Sequence, residues 1–342
     1  MNPELARQWY SQTKSNYSSL ADVVRTTLDG LLKNSSVDYL NVTSRVKSLE
    51  SFAEKFERKG YADPEKEMTD LAGIRVITYI ERDVDRVCQI IQQTFNVHKD
   101  KSLDKASELE ENQFGYRSVH FVCDLGSVRG KLPEFAVYSG LFFEVQVRTV
   151  LQHAWAEIEH DRNYKLAGVL PRILRRRLFS IAGTLEMADR EFNAIASELD
   201  DYAKSIAATA KKGELDVEID STTLSEYLKG KMEHYGTTLQ LKSRLLPVGI
   251  QELRDYGLTT LADVDAIMPE SFWKYLLKYT TSQTVIGLLR KAMMFNDLDR
   301  YFERAWKSHF QGMAPETFKL LCKKYGNDKV EKVLKECKIH LP

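Results

Sequence analysis

A short strand followed directly by a helix places the strongest constraint on what this chain can fold into. The segment Phe143–Thr149 reads F-E-V-Q-V-R-T, and the side chains of a strand alternate between the two faces of a sheet. One face is therefore apolar up to Thr149, and the other carries Glu144, Gln146 and Arg148 in a row. An acid, an amide and a guanidinium together suit a metal ion, a hydroxyl and a phosphate. The strand predicts a sheet with one buried face and a functional site on the other.

Neighbouring segments extend this sheet. Ile74–Ile80 is β-branched and aromatic, and Arg117–Leu125 alternates between apolar and polar residues, so both predict strands. Helices are predicted over Pro3–Lys33, from Thr43 or Ser44 to near Gly60, and after Asp83, which is expected to cap its helix. The order of these elements predicts an α+β fold, in which a mixed β-sheet is flanked by helices.

The pattern changes after Pro171, where apolar residues recur at alternating spacings of four and three. These positions are Leu174, Leu178, Ile181, Leu185, Ala188, Phe192, Ile195, Leu199, Tyr202 and Ile206. Such a heptad seam predicts one helix about 50 Å long. Two interpretations remain open: the helix packs along its own domain, or it pairs with a second copy of the chain in a coiled coil.

The length of 342 residues predicts about two domains. The sheet and its flanking helices are expected within residues 1–210, and the weakly hydrophobic stretch 211–223 is expected to be a linker. Residues 224–342 predict an all-helical C-terminal region without a catalytic motif, which suggests a regulatory or oligomerising role.

The charge balance excludes a polybasic protein. Lysine plus arginine and aspartate plus glutamate both number 49, so any anion site must be local. Without an apolar leader or a run of 18 apolar residues, neither secretion nor a membrane span is expected. The four cysteines are widely spaced and form no pair suited to zinc or redox chemistry. Free thiols in a cytoplasmic protein are therefore expected.

Two short clusters of the sequence carry side chains that can donate hydrogen bonds to a ligand. In R-V-K-S-L-E-S, Arg45 and Lys47 are placed by the pattern at a helix start, where cations suit a phosphate better than helix stability. A solvated helix end is the alternative interpretation. In F-G-Y-R-S-V-H, Tyr116 offers a stacking surface, and Arg117 and His120 offer donors. An ordinary loop is the alternative there.

A third cluster, D-L-A-G-I-R-V-I, combines an acid with a strand arginine. Gly73 allows close backbone approach, and Arg75 lies among apolar residues. A buried arginine needs an anion, which is either a ligand or a carboxylate of the protein itself. Asp70 and Glu144 supply two carboxylates, which are compatible with an oxygen-ligated Mg²⁺ ion.

The predicted helix that follows Phe143–Thr149 also has a residue spacing that can be compared with zinc sites. His153, Glu157 and His160 are spaced four and three apart and so share a helix face. Their order is H-x-x-x-E-x-x-H rather than H-E-x-x-H, and no cysteine lies near, which disfavours zinc. Trp155 is expected in the core or in a pocket wall.

Taken in order, these motifs resemble those of the RelA/SpoT family. The resemblance lies in R-V-K-S, D-L-A-G-I-R-V-I, G-Y-R-S-V-H, E-V-Q-V-R-T and the run W-A-x-I-E-H-x-x-x-Y-K that ends at Lys165. It covers roughly residues 35–170 and is closest to the small stand-alone synthetases of the family. The resemblance implies a mixed sheet flanked by helices, related to that of nucleotidyltransferases.

The resemblance also implies an activity and a set of roles. Family members use Mg²⁺ and transfer pyrophosphate from ATP to the 3′-hydroxyl of GDP or GTP, making ppGpp and pppGpp in the stringent response. By this resemblance Asp70 and Glu144 hold the metal, and Glu144, Asp70 and Gln146 form the catalytic set. ATP is expected at Arg45, Lys47, Ser51 and Arg75. The acceptor is expected at Tyr116, Arg117, His120, Arg148, His153 and Lys165.

Departures from the family pattern leave the acceptor open. Phe114 and Asn112 stand where an asparagine and a lysine are usual, and His153 stands where an asparagine often reads guanine. Family toxins that modify the 3′ end of tRNA or make adenosine alarmones are therefore an alternative, with the C-terminal region holding the activity in check. The arginines at 172 and 175–177 suggest either RNA contact or a solvated helix face. An inactive nucleotide- or RNA-binding module is the second alternative, and a homo-oligomer through the helical regions is open.

Overall fold

The computed structural model describes residues 2–104, 118–165, 171–211, 213–236, 238–240, 246–279, 282–307 and 309–341. The chain divides into two compact units, Met1–Ala196 and Ser197–Pro342. Their boundary lies within a long helix, and the stretch expected to be a linker contributes Ile219 to the buried core of the second unit. The functional division at residue 210 stays a prediction.

A mixed sheet forms the centre of the first unit. Its described strands are β1 (Tyr39–Val46), β2 (Ala72–Thr78), β3 (Asn96–Val97), β4 (Leu103–Asp104), β5 (Val119–Asp124) and β6 (Phe143–Thr149). They lie in the order β1-β2-β6-β5-β3, with β4 also paired to β5. Strands β2 and β6 run parallel, and the other pairs run antiparallel. The mixed sheet flanked by helices that the sequence predicts is confirmed.

Helices surround this sheet. The described helices up to residue 211 are α1 (Pro3–Lys33), α2 (Leu49–Lys59), α3 (Pro64–Glu67), α4 (Glu81–Thr94), α5 (Gly126–Arg129), α6 (Val150–Lys165) and α7 (Arg172–Lys211), which continues into the second unit, with a 3₁₀ turn at Pro133–Tyr138. Helix α6 follows β6 without a loop, as the sequence of Phe143–Thr149 and the residues after it predicts. The last strand residue and the first helix residue are thus neighbours, and Glu157 of α6 is hydrogen-bonded to Arg75 of β2.

The apolar face of the sheet packs against α1, α2 and α4. Phe143, Val145 and Val147 of β6 are completely buried, as the alternation of this strand predicts. On the helices, the ring of Tyr10 stacks on that of Phe52, with the ring centroids 4.4 Å apart. This packing leaves the opposite face of the central strands for polar side chains.

The prediction of a helix beginning at Thr43 or Ser44 is wrong. Arg45 lies on strand β1, and Lys47 follows that strand. Helix α2 begins only after Ser48, whose hydroxyl accepts a hydrogen bond from the backbone N–H three residues on. β1 lies at the end of the strand order and alternates only between half-buried and exposed residues, so its sequence lacks a strong apolar pattern.

The predicted cap of α4 is also wrong. Ile80 occupies the N-cap position, and the helix begins at Glu81. Asp83 lies in the first turn, where a negative charge suits the helix dipole. Its side chain is buried and accepts a hydrogen bond of 3.0 Å from Nη1 of Arg86.

The long helix of the heptad pattern is confirmed as α7. One of its faces is anchored by Asp189, which is buried and accepts a hydrogen bond from Thr149 at the end of β6. Its apolar seam, however, is largely exposed. Leu174, Ile181, Phe192, Ile195, Leu199 and Tyr202 are each more than 40% exposed in the single chain. These seam residues are only partly covered in the single chain, and both interpretations of the seam stay predictions.

The second unit is helical, as expected. Its described helices are α8 (Ser221–Tyr235), α9 (Leu246–Tyr256), α10 (Leu261–Ala266), α11 (Glu270–Tyr279), α12 (Val285–Asn296), α13 (Leu298–Arg300), α14 (Pro315–Tyr325) and α15 (Asn327–Glu336), with a π-helical turn at Tyr301–Ala305. Two short strands, β7 (Thr238–Gln240) and β8 (Ser282–Thr284), pair in parallel and are absent from the prediction. Large side chains such as Trp273 and Tyr256 fill its core. Across the described residues, every helix is too short or too polar to cross a bilayer.

Candidate active site

Strand register brings the predicted site residues onto one face of the sheet. In the parallel pair of β2 and β6, Gly73 lies opposite Glu144, and Arg75 lies opposite Gln146. On the other side of β6, His120 of β5 also lies opposite Gln146. Residues directly opposite each other in adjacent strands point to the same face. The polar row of β6 is therefore flanked by a guanidinium on one side and an imidazole on the other.

A cleft of about 130 Å³ opens on this face. Its walls include the two predicted carboxylates, Asp70 and Glu144, and two predicted arginines, Arg45 and Arg75, together with Gln146. These side chains come from β1, from β2 and the turn before it, and from β6. The site therefore exists only when the sheet is assembled in this register.

Gly73 lets an arginine lie across the sheet. Arg45 of β1 is directly opposite Gly73, and a Cβ atom at Gly73 would lie 3.3 Å from both Cγ and Nε of Arg45. That distance is shorter than an ordinary van der Waals contact. The close approach predicted from this glycine is thus made by a side chain of the neighbouring strand.

Two lysines hold Asp70. The Nζ atoms of Lys47 and Lys55 each lie 2.8 Å from Oδ2 of Asp70. Burial raises the pKa of Asp70, but the hydrogen bonds and charges of the two lysines outweigh it, and the net pKa is lowered. The other oxygen, Oδ1, is buried and accepts no hydrogen bond from the described residues. Asp70 is therefore an ionised carboxylate with one oxygen left for another partner.

A hydrogen-bonded chain orients Glu144. His120 Nδ1 lies 2.6 Å from Glu144 Oε1, and Gln146 donates to the same oxygen at 2.9 Å. Arg148 in turn donates to Gln146 Oε1 at 2.8 Å, and the far nitrogen of His120 lies 2.7 Å from the Ser118 hydroxyl. Burial raises the pKa of Glu144, but the hydrogen bond and charge of His120 outweigh it and lower the pKa. The predicted polar row is thus a connected network around an ionised acid.

The other end of the row is cationic. Arg75 donates from Nη1 to Glu157 Oε1 of α6 at 2.8 Å, so an internal carboxylate does pair with this arginine. Burial and the charge of Arg75 lower the pKa of Arg148 to about 10. The same two causes lower the pKa of His153, whose Nδ1 lies 3.6 Å from Glu157 Oε1. His153 is therefore neutral near pH 7.

Some predicted residues do not line the cleft or lie outside the described part. Ser51 is on α2, where its hydroxyl accepts a hydrogen bond from Ser48 at 3.2 Å. Tyr116 and Arg117 fall outside the described residues, and so does the side chain of Lys165, whose backbone ends α6. Their expected contacts stay predictions.

Two site residues were not predicted from the sequence. Lys55 completes the pair of cations on Asp70, and Glu157 is the partner of Arg75. Lys55 follows Ser51 by one helical turn, so a correct start for α2 would have placed both on one face. In the sequence, Glu157 stands out only as part of a zinc-like spacing.

A family model described as "Region found in RelA / SpoT proteins" matches residues 44–169. GTP pyrophosphokinase YjbM of Bacillus subtilis (strain 168) is 32% identical over 177 residues, which are 50% of this chain and 78% of that protein. The chain belongs to the RelA/SpoT family. A second relative from the same organism, GTP pyrophosphokinase YwaC, is 31% identical over 161 residues, 46% of this chain and 73% of that protein.

Solved structures also align with this chain. The crystal structure of small alarmone synthetase 1 from Bacillus subtilis is 28% identical, covers 57% of this chain and 98% of its own, and has a TM-score of 0.48. A GTP pyrophosphokinase family protein from Streptococcus pneumoniae is 28% identical, covers 57% of this chain and 96% of its own, and has a TM-score of 0.46.

The cleft offers ligands for the expected Mg²⁺ ion. Asp70 has a buried oxygen without a hydrogen-bond partner among the described residues, and Glu144 lines the same cleft. The described part holds no group of three His, Cys, Asp or Glu residues that would bind a metal alone. Mg²⁺ commonly takes one or two carboxylates and completes its shell with waters and substrate phosphates. Asp70 and Glu144 fit that mode of binding.

Proposed function

We propose that this protein transfers pyrophosphate from ATP to the 3′-hydroxyl of a guanosine nucleotide, GDP or GTP. The observation that carries the proposal is the cleft in which ionised Asp70 and Glu144 lie beside Arg45 and Arg75. Two carboxylates next to two guanidiniums suit a metal-bound polyphosphate. Both curated relatives bear the name GTP pyrophosphokinase, which supports the same reaction.

Glu144 is proposed as the general base. Its carboxylate is ionised and oriented by His120 and Gln146, so it can accept the proton of a hydroxyl placed in the cleft. The acceptor 3′-oxygen attacks the β-phosphorus of ATP and forms a new P–O bond. The bond between that phosphorus and the oxygen bridging to the α-phosphate breaks, and AMP leaves with that oxygen. In-line positioning and charge neutralisation supply most of the catalysis in such reactions.

The donor nucleotide is proposed to lie along β1 and β2. Arg45 extends over Gly73, and Arg75 lines the same cleft, so the two guanidiniums can stack on adenine or meet phosphate. Lys47 stays close through its ion pair with Asp70. Arg75 would exchange its bond with Glu157 for the nucleotide.

Mg²⁺ is proposed to bind Asp70 and Glu144. When bound, the ion neutralises charge on the phosphates of ATP. The two lysines on Oδ2 of Asp70 keep this carboxylate ionised while Oδ1 remains for the metal.

The acceptor is proposed to lie over the β6 end of the site. Arg148 and neutral His153 supply donors and an acceptor there, beside Gln146. A neutral imidazole can read a base edge by one donor and one acceptor. Stacking on Tyr116 and phosphate contacts from Arg117 and Lys165 belong to the same proposal.

The 3′ end of tRNA is the second candidate acceptor. The observation in its favour is that Arg172, Arg175, Arg176 and Arg177 at the start of α7 are all exposed. An exposed basic patch suits a nucleic-acid backbone.

The deciding experiment offers γ-labelled ATP and Mg²⁺ with GDP, GTP, ADP or tRNA in separate reactions. Label on GDP or GTP supports the proposal, label on tRNA supports the second candidate, and label on ADP indicates adenosine alarmones. Glu144→Gln and Asp70→Asn should each lower transfer by roughly 10²–10⁴-fold. Lys332→Met, at an exposed residue of α15 in the second unit, serves as the control. Absence of transfer to every acceptor would favour an inactive binding module.

A further inference from the structure

The second unit contains a cavity that the proposed reaction does not use. It has a volume of about 350 Å³ and lies between the start of α12, the start of α14 and the segment before α14. This volume is within the range of small-molecule sites, about 300–1,000 Å³. Two adjacent cations of α12, Arg290 and Lys291, line it.

Lys291 is a buried cation with one long ion pair among the described residues. The residue is only 8% exposed. Its ion pair within the described residues is with Glu316 Oε1 at 3.8 Å, which is too long for a hydrogen bond. Burial lowers the pKa of Lys291, and Glu316 offsets this only in part. Buried charges are normally paired and hydrogen-bonded, so an ammonium group in a cavity wall is most readily completed by an anion.

Arg290 is different because its charge is already balanced. Its Nε and Nη2 donate to the two oxygens of Glu252 at 2.9 and 2.6 Å, and Glu252 is almost fully buried. His309 also lies near, with Nε2 3.7 Å from Glu252 Oε1. The charge of Arg290 is therefore balanced within the cavity wall, while Lys291 is paired only loosely, with Glu316, which also lines the cavity.

Two helix N-termini reach the same cavity. Helix α12 begins after Thr284, whose hydroxyl accepts from Gly287 N–H. Helix α14 begins after Ala314, and no side chain caps its first turn. Thr284, Gly287 and Ala314 all line the cavity. The positive ends of the two helix dipoles favour an anion.

The remaining wall is apolar and aromatic. Met294 and Met313 are buried and line the cavity together with Phe310. The guanidinium of Arg290 lies 5.5 Å from the centroid of the Phe310 ring. A ligand with only a charged group would leave this surface unused.

We propose that this cavity binds a small organic anion. Its phosphate or carboxylate group would lie at Lys291 and the two helix N-termini, and its flat or apolar body would lie against Phe310 and the methionines. The proposal rests on the second unit alone and does not depend on the reaction proposed for the first.

The test is calorimetric titration of the full-length protein with phenyl phosphate, benzoate and inorganic phosphate. Phenyl phosphate or benzoate should bind at one site per chain and more tightly than inorganic phosphate, and the tighter of the two identifies the head group. Lys291→Met should weaken this binding by about tenfold or more, since it removes a charge-assisted contact. Glu316→Gln should strengthen it, because it removes the competing carboxylate. Lys332→Met should leave it unchanged.

Binding in the catalytic cleft is distinguished by Arg45→Ala. Binding that Arg45→Ala abolishes and Lys291→Met leaves intact would overturn the proposal. Thermal melting shows whether Lys291→Met still folds. If Lys291→Met does not fold, Glu316→Gln is the test, because this variant should bind the ligand more tightly than the wild type. Unchanged or weaker binding by Glu316→Gln, or no binding by the wild type, would contradict the proposed site.

Discussion

At the scale of single residues, His120 contributes to the lowered pKa of Glu144. Burial alone would raise the pKa of Glu144, and the hydrogen bond and charge of His120 reverse that effect. Replacing His120 by Ala should therefore raise this pKa. Because a proposed base works only when deprotonated, the acidic limb of the pH–rate profile should move to higher pH. The measurement is pyrophosphate transfer across the pH range for both proteins.

His120→Asn separates the hydrogen bond from the charge. The amide keeps a donor near the position of Nδ1 but cannot become cationic. Its acidic limb should lie between those of the wild type and His120→Ala. Identical profiles for all three proteins would show that His120 does not set the protonation of Glu144.

Gly73 leads to a prediction about the donor nucleotide. A Cβ at this position would meet Arg45 at 3.3 Å, so Gly73→Ala should displace the arginine while the backbone stays in place. We expect the KM for ATP to rise several-fold and the KM for the acceptor to change little. Gly30→Ala, where a Cβ meets nothing within 4 Å in helix α1, is the matched control. A selective effect on the acceptor would instead place the donor elsewhere.

Some residues of the site can be predicted from the sequence and others cannot, depending on the residue type and its local pattern. Four predicted residues line one cleft: Asp70, Glu144, Arg45 and Arg75. They could be predicted because each is a charged residue that interrupts an apolar or local pattern. Lys55 was not predicted, because lysines are common on exposed helix faces and the sequence does not show which carboxylate pairs with this one. Long-range partners such as the Arg75–Glu157 pair depend on the fold, and local spacing does not encode them.

At the scale of elements, one buried cluster joins helix α7 to the end of strand β6. The hydroxyl of Thr149 donates to Asp189 at 2.6 Å and accepts from the backbone N–H of Gln152 at 3.1 Å. Thr149→Val keeps the shape but removes both bonds and leaves a buried carboxylate short of a donor. It should lower the free energy of unfolding by about 1–3 kcal/mol, measured by urea denaturation.

Thr184→Val is the control for that prediction. Thr184 is exposed on α7 and donates only to the carbonyl one turn earlier, so its loss should change stability by less than about 0.5 kcal/mol. Equal effects of the two substitutions would mean that the contact between Thr149 and Asp189 does not anchor the helix.

Elements differ in how well their sequences predict them. Apolar residues recur at every second position in strand β6 and at every third or fourth position in helix α7. Both elements were predicted correctly. Strand β1 was not, since it pairs with β2 while its own residues stay half-exposed. The pairing partner supplies its stability, and a local pattern does not record a partner. The two-residue strands β3 and β4 are too short for any periodicity.

At the scale of the whole molecule, the sequence distinguishes a sheet-containing unit from a helical one, but it says nothing about the cavity of the second unit. Lys291 looks like any surface lysine in the sequence, yet it is buried. Its environment is created by α12, α14 and the segment between them. Sites formed between helices of ordinary composition are the hardest to predict from one sequence.

The exposed seam of α7 carries the prediction on assembly. Ile181 and Phe192 are heptad positions that are both more than half exposed in the single chain. If the seam pairs with a second copy, burying each such side chain contributes about 1.5–3 kcal/mol, and a charge there should prevent association. The double variant Ile181→Glu with Phe192→Glu should therefore be monomeric where the wild type is a dimer or larger, as measured by light scattering after gel filtration. Met187→Glu, exposed but off the seam, should associate like the wild type, and a monomeric wild type would contradict the coiled-coil interpretation.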